Sequence, residues 1–232
     1  MANAQPLVVN HIKGSLAIAF NGNLVNKSEL RTCLEMQGSI FHSSGDTEVI
    51  AYEIIKDREN LEEQFGRIVR GMAYPYGTYS DEVVRVLREC GVVYARTTKA
   101  TREFGMPAEW LTLHPTCHHN DPTLPDLTKK FIETTIHSDQ HPWMFYLWGH
   151  AYEFVRDNSW HIIEEFAKQI SGKEDIWYAT NIEIWEYTEN FKKLVFSLDE
   201  RYVYNPTAQT LYFKLNRKLY AVAPGQTIQT EV

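Results

Sequence analysis

The chain has 232 residues, enough to bury one large core or two small ones. With 44% hydrophobic and 13% aromatic residues it has the composition of a folded protein, not a disordered one. A net charge of −7 leaves no basic stripe to neutralise phosphates, which argues against a nucleic-acid partner. The start, "MANAQPLVVNHIKG", lacks the basic and apolar regions of a secretory signal. No apolar run approaches the ~20 residues needed to cross a bilayer, so no membrane partner is expected. Cys33, Cys90 and Cys117 are odd in number and far apart, the pattern of reduced thiols in a cytoplasmic protein. Tyr and Trp are abundant enough to line a carbohydrate groove, although core packing accounts for most of them.

In chain order, "LVV" (Leu7 to Val9) and "SLAIAF" (Ser15 to Phe20) have strand length. "NGN" at Asn21 to Asn23 reads as a turn, with Gly22 free to take positive φ. "NKSELRTCLEMQG" has helical spacing and Gly38 as a stop, and "SIFH" is a brief strand. Asp46 opens a second helix that Gly66 closes, its carboxylate suited to the N-cap. Strands and helices then alternate. "RIVRGMAYPYG" is a strand ending in a turn, "SDEVVRVLREC" a capped helix and "VVYARTT" a strand. After a Pro-rich polar stretch come the helix "LPDLTKKFIETT", the strand "WMFYLWG" and the helix "SWHIIEEFAKQI". "IWYATN" is a strand, "IEIWEYTENFKKLV" a helix, and the tail from Tyr202 a β ribbon. Such alternation predicts parallel strands with crossover helices, in a barrel or an open sheet.

The stretch "NAQPLVVNHIKGSLAIAFNGNLVNKSELR…GSIFHSSGDTEVI" resembles part of the class II glutaminase domain of amidophosphoribosyltransferase. The resemblance places an oxyanion hole at the Asn21 side chain and the Gly22 N–H, and a glutamine-holding acid at Asp46. Donors preorganised at a tight turn stabilise developing oxyanion charge. That family's nucleophile is an N-terminal cysteine activated by its own α-amine. Here Met1 precedes Ala2, and Phe20 and Gly45 stand where the family has His and Ser. Glutamine hydrolysis is therefore not expected from these residues.

From Ala51 onward the chain resembles polysaccharide deacetylases, on "GMAYPYGTYSDEVV", "LHPTCHHND", "FYLWGHAYEF" and "DIWYATNIEIWEY". This resemblance implies an α/β fold: a partial distorted (β/α) barrel with an extra N-terminal β-β-α-β segment. The domains would be 1–50, amidotransferase-like, and 51–232, deacetylase-like. The implied activity is hydrolysis of N-acetyl groups on amino sugars in oligo- or polysaccharides, with a zinc-type divalent metal. His150 would protonate the leaving amine, and the Tyr76 N–H would hold the oxyanion. Trp148, Tyr74, His118 and His119 would line the substrate groove. The family's Thr-Phe-Asp-Asp-Gly and His-Ser/Thr-x-x-His motifs are missing ahead of "YPYG", and its third-motif arginine is Ala73, so the metal ligands are unknown and activity is expected to be impaired.

"HSDQH" at His137 to His141 has the letters of the missing metal motif, but it follows the Pro-Tyr-Gly turn instead of preceding it. In a loop, His-x-x-x-His spacing fixes no geometry, so a solvated loop is the expectation. "TCHH" at Thr116 to His119 offers three ligand types, but adjacent ligands are unusual for structural zinc. The alternatives to an impaired deacetylase are a non-catalytic carbohydrate-binding or structural remnant, and a glutamine amidotransferase fragment without its nucleophile. A barrel without its first strands would leave an open edge, covered in part by the N-terminal strands or by a second copy of the chain.

Overall fold

The structure, a computed structural model, describes residues 7–11, 14–18, 26–41, 46–135 and 142–231. The chain divides into two compact units, one of residues 1–97 with 109–113, the other of 98–108 with 114–232.

In the first unit, β1 (Leu7–His11) and β2 (Gly14–Ile18) form an antiparallel hairpin with Val9 opposite Leu16. Helix α1 (Lys27–Met36) ends before Gly38, which takes φ 95°, and α2 (Asp46–Phe65) ends before Gly66 at φ 60°. Both glycines occupy the left-handed conformation that terminates a helix without a Cβ penalty. Strand β3 (Gly71–Ala73), helix α3 (Asp81–Glu89) and strand β4 (Tyr94–Arg96) make a parallel β-α-β unit. Ser80 caps α3 by accepting the Val83 N–H at 3.3 Å, with Asp81 and Glu82 at the positive end of the helix. Its buried residues Val84 and Leu87 pack with Tyr74, Val92, Ala95 and Leu111, while Val86 meets Ile50, Ile54 and Ile55 of α2. Arg58 of α2 donates to the Cys90 carbonyl at 2.7 Å, tying the two helices where α3 leaves a carbonyl without an intrahelical partner.

In the second unit, β5 (Cys117–His118) and β6 (Leu147–Trp148) pair in parallel across α4 (Leu124–Thr135). Phe104, Cys117, Leu124, Leu127 and Phe131 form the core there, joined by Trp143, Phe145 and Phe166. Helices α5 (Ala151–Arg156), α6 (Trp160–Ile170) and α7 (Asn181–Phe191) follow. The tail carries β7 (Val195–Phe196), β8 (Tyr202–Tyr204) and β11 (Thr227–Gln229) in one antiparallel sheet. Strands β9 (Leu211–Leu215) and β10 (Lys218–Val222) form a separate hairpin.

The fold is thus mixed α/β, but the expected barrel is corrected. Among the described residues every sheet has only two or three strands, and none closes. Strands β3 to β6 are two or three residues long, far short of the tilted staves that barrel closure needs. The N-terminal strands, expected to cover a barrel edge, pair with each other in a sheet of their own. "SIFH" and "IWYATN", expected as strands, contain none among their described residues. Thr180 instead caps α7, its N–H and hydroxyl both donating to Glu183 Oε2 at 2.7 Å. No helix among the described residues is long and apolar enough to cross a membrane.

Candidate functional site

The parallel pair β5–β6 delivers the second unit's most chemically loaded residues to one place. His118 ends β5 and His119 follows it, while Trp148 ends β6 and is followed by Gly149 and His150, the N-cap of α5. The His119 N–H donates to the Trp148 carbonyl at 2.9 Å, so the two chain segments continue side by side beyond the strands. One turn into α5, Glu153 folds back to accept the His150 N–H on Oε2 at 3.1 Å, half of a capping box.

That same oxygen lies 3.1 Å from His118 Nε2 and 3.6 Å from His119 Nε2. His118 Nδ1 accepts the Asn120 N–H at 3.2 Å, so the His118 proton resides on Nε2 and points at the carboxylate. The His119 side chain is 1% exposed, its ring packed against those of His118 (centroids 4.2 Å apart) and Phe154 (4.3 Å). Neither of its nitrogens makes a well-aligned hydrogen bond, although the Trp148 backbone lies close enough to act on the ring as a weak hydrogen-bond partner. A Cβ at position 149 would stand 1.8 Å from His119 Nδ1, so this packing requires glycine there.

The electrostatics follow from burial. Desolvation, then the neighbouring His118, hold the His119 imidazole below its ordinary pKa of 6.5, against the pull of Glu153 and Asp157. Burial acts to raise the Glu153 carboxyl, but the His150 N–H and the rings of His118, His119 and His150 outweigh it and keep it below the usual range. The cluster therefore combines a neutral buried imidazole with an ionised carboxylate.

The remaining residues expected at a site fall in both units or outside the described residues. His150 is exposed, its ring stacked on Tyr152 at 5.4 Å and edge-on to Trp148 at 5.8 Å. Tyr76 belongs to the first unit and is 98% exposed, in the left-handed conformation at φ 56°. Tyr74, expected in a substrate groove, is a core residue of that unit. Its hydroxyl donates to the Leu111 carbonyl at 2.8 Å, and burial raises its pKa to about 12. Asn21, Gly22, His137 and His141 lie outside the described residues, and Asp46 is described only as the first residue of α2. Glu153, at the centre of the cluster, carries no motif that singles it out. The signal that could have found it is the adjacent His-His pair together with a glutamate three residues after the histidine that follows a strand and a glycine.

Comparison with known proteins decides between the two resemblances. Residues 1–75 match the family described as "Glutamine amidotransferase domain". Amidophosphoribosyltransferase of Methanocaldococcus jannaschii is 44% identical over 78 residues, 34% of this chain and 17% of that protein. The enzyme of Staphylococcus aureus (strain MRSA252) is 38% identical over 97 residues, 37% of this chain and 20% of its own length. That of Bacillus subtilis is 57% identical over 53 residues, 22% of this chain and 11% of its own. The chain thus spans no more than about a fifth of these relatives. No solved structure matches it. The deacetylase reading is corrected accordingly, together with the hydrolase function built on it. The similarity is to amidotransferases, and it runs past Ile50 through α2 and β3 to residue 75.

Proposed function

We propose that the N-terminal segment is the glutamine-recognition part of a class II amidotransferase domain. In this reading the Asn21 side chain and the Gly22 N–H receive the carboxamide oxygen of glutamine. Asp46 holds its α-ammonium. The observation that carries the proposal is the match over residues 1–75, which contains all three positions. A carboxylate facing an ammonium and two N–H donors facing a carbonyl give charge-assisted recognition of an amino-acid amide.

Turnover needs a thiolate as well. Burial raises the thiols of Cys90 and Cys117 to about 11, which leaves both protonated near neutral pH and poor nucleophiles. Cys33 is exposed on α1 within the matched segment. The proposal is therefore recognition of glutamine by this chain, with hydrolysis dependent on a nucleophile other than these buried cysteines. Calorimetric titration of the whole chain tests it. Glutamine should bind, glutamate should bind more weakly, and Asp46→Asn should abolish the heat. No measurable glutamine binding, or binding unchanged in Asp46→Asn, would overturn it. An electrophilic glutamine analogue should leave Cys90 and Cys117 unlabelled, because burial keeps both thiols protonated.

A further inference from the structure

We propose that His118, His119 and Glu153 form a binding site for one divalent cation of the zinc class. The site lies in the second unit, outside residues 1–75, and stands independently of the glutamine reading.

Two separate observations lead to it. The first is convergence: one donor atom from each of the three side chains falls within 4.8 Å of the other two. Around a tetrahedral zinc ion with bonds of about 2.0–2.1 Å, ligand atoms stand roughly 3.3 Å apart. The distances from Glu153 Oε2, 3.1 Å to His118 and 3.6 Å to His119, bracket that value. The third separation, between the two imidazoles, is bounded at 4.8 Å, so the rings would draw together around an ion.

The second observation is the state of His119. A buried imidazole with neither nitrogen in a well-formed hydrogen bond is costly, because the Trp148 backbone and the Glu153 carboxylate 3.6 Å away compensate its desolvation only in part. Buried polar groups in folded proteins are nearly always paired, so an orphan calls for a partner. An ion on His119 Nε2 supplies one. Gly149 makes room for the ring by lacking a Cβ, and Phe154 packs against it at 4.3 Å, so the donor is held in place before any ion arrives.

The donor set selects the ion. Two imidazoles and one carboxylate suit zinc and its neighbours, and they are a poor match for calcium or magnesium, which take oxygen ligands. Three protein ligands leave a fourth position open for water. Glu153 Oε2 already accepts the His150 N–H, which orients the carboxylate and leaves a lone pair for the cation. In the ion-free arrangement the His118 proton sits on Nε2. When an ion takes Nε2, the neutral ring carries its proton on Nδ1 instead, and Nδ1 can no longer accept the Asn120 N–H. Occupancy is therefore coupled to a backbone hydrogen bond in the turn after β5.

The test uses the whole chain, stripped with a chelator and titrated with Zn²⁺ against a chromophoric competitor. The expected result is one ion per chain, weakened by about 100-fold or more in His118→Ala and in Glu153→Gln. Glu153→Gln keeps an oxygen for the His150 N–H, so the start of α5 survives, and His118 is exposed enough to be truncated without opening the core. Circular dichroism of both variants should match the parent. Co²⁺ in place of Zn²⁺ should give visible d–d bands of tetrahedral strength. On Zn²⁺ addition the Asn120 amide should shift and exchange faster. A variant changing both His137 and His141 to Ala should bind as the parent does. Loss of binding in that variant, binding undiminished in His118→Ala and Glu153→Gln, or no stoichiometric ion in the parent would each overturn the site. Any of these would leave Glu153 as a cap for α5 alone.

Discussion

Replacing Gly149 with Ala tests the packing at the centre of the second unit. The added methyl would meet His119 Nδ1 at 1.8 Å, Cε1 at 2.5 Å and Cγ at 3.0 Å. Ordinary contact begins near 3.4 Å, so the ring must retreat by about 1.6 Å, the difference between 3.4 and 1.8. It cannot slide away, because His118 and Phe154 rings lie 4.2 and 4.3 Å from its centroid. Overpacking of this kind costs 1–3 kcal/mol, and a rigid buried ring places this case at about 3 kcal/mol. For a chain of this length that is a fall of about 6 °C or more in the melting temperature of the second unit. A double-mutant cycle isolates the cause. In a His119→Ala background the methyl has room, and Gly149→Ala should be neutral or stabilising by about 0.4–1 kcal/mol through the unfolded chain. The coupling between the two positions should therefore be about 3–4 kcal/mol, at or just above the upper end of the range for touching residues. Differential scanning calorimetry of the four proteins supplies the numbers. Equal costs of Gly149→Ala in both backgrounds would show that the clash is not with His119.

Two further outcomes follow from the same geometry. His119 is held neutral by burial, so its folded pKa lies below the unfolded value near 6.5. Below that value the unfolded chain takes up a proton that the folded chain refuses, and stability falls as pH drops through 6.5 until the folded group also protonates. Melting temperatures measured from pH 7.5 to 5 should decline in the parent and decline less in His119→Phe, with parallel curves counting against the buried neutral ring. In the first unit, Tyr74→Phe removes the 2.8 Å bond to Leu111 and leaves a buried carbonyl unpaired. We expect a loss of about 1–3 kcal/mol, read from urea denaturation, and no measurable change would place the Tyr74 hydroxyl in water.

What the sequence made legible was local. Helix α3 was readable because Ser80 precedes two acids and an apolar face, and α2 because Asp46 and Gly66 mark its ends. The β-α-β alternation was readable too, since both parallel pairs exist with a helix between them. Where the strands would gather was not, because sheet membership depends on contacts between distant segments that periodicity does not encode. "IWYATN" misled for a related reason. Its apolar letters have strand length, but "TNIE" carries the Thr-x-x-Glu spacing of a capping box, and the helix start prevailed.

The cluster in the second unit shows the same limit at a functional scale. His118 and His119 are separated from Glu153 by more than thirty residues, and α4 lies between them. Neighbouring residues on a strand point to opposite faces, so two adjacent histidines would ordinarily diverge. They converge here because β5 ends at His118 and the chain turns at once, with the Asn120 N–H bonding back to the His118 ring. The glutamate arrives because a capping box directs its side chain back toward the start of its own helix, which stands beside that turn. Each step is an ordinary local rule, and none names the cluster by itself. Only the pairing of Cys117 with Leu147 and His118 with Trp148 brings the two turns into register. A one-residue slip of that pairing would carry the carboxylate away from both imidazoles while leaving every helix intact.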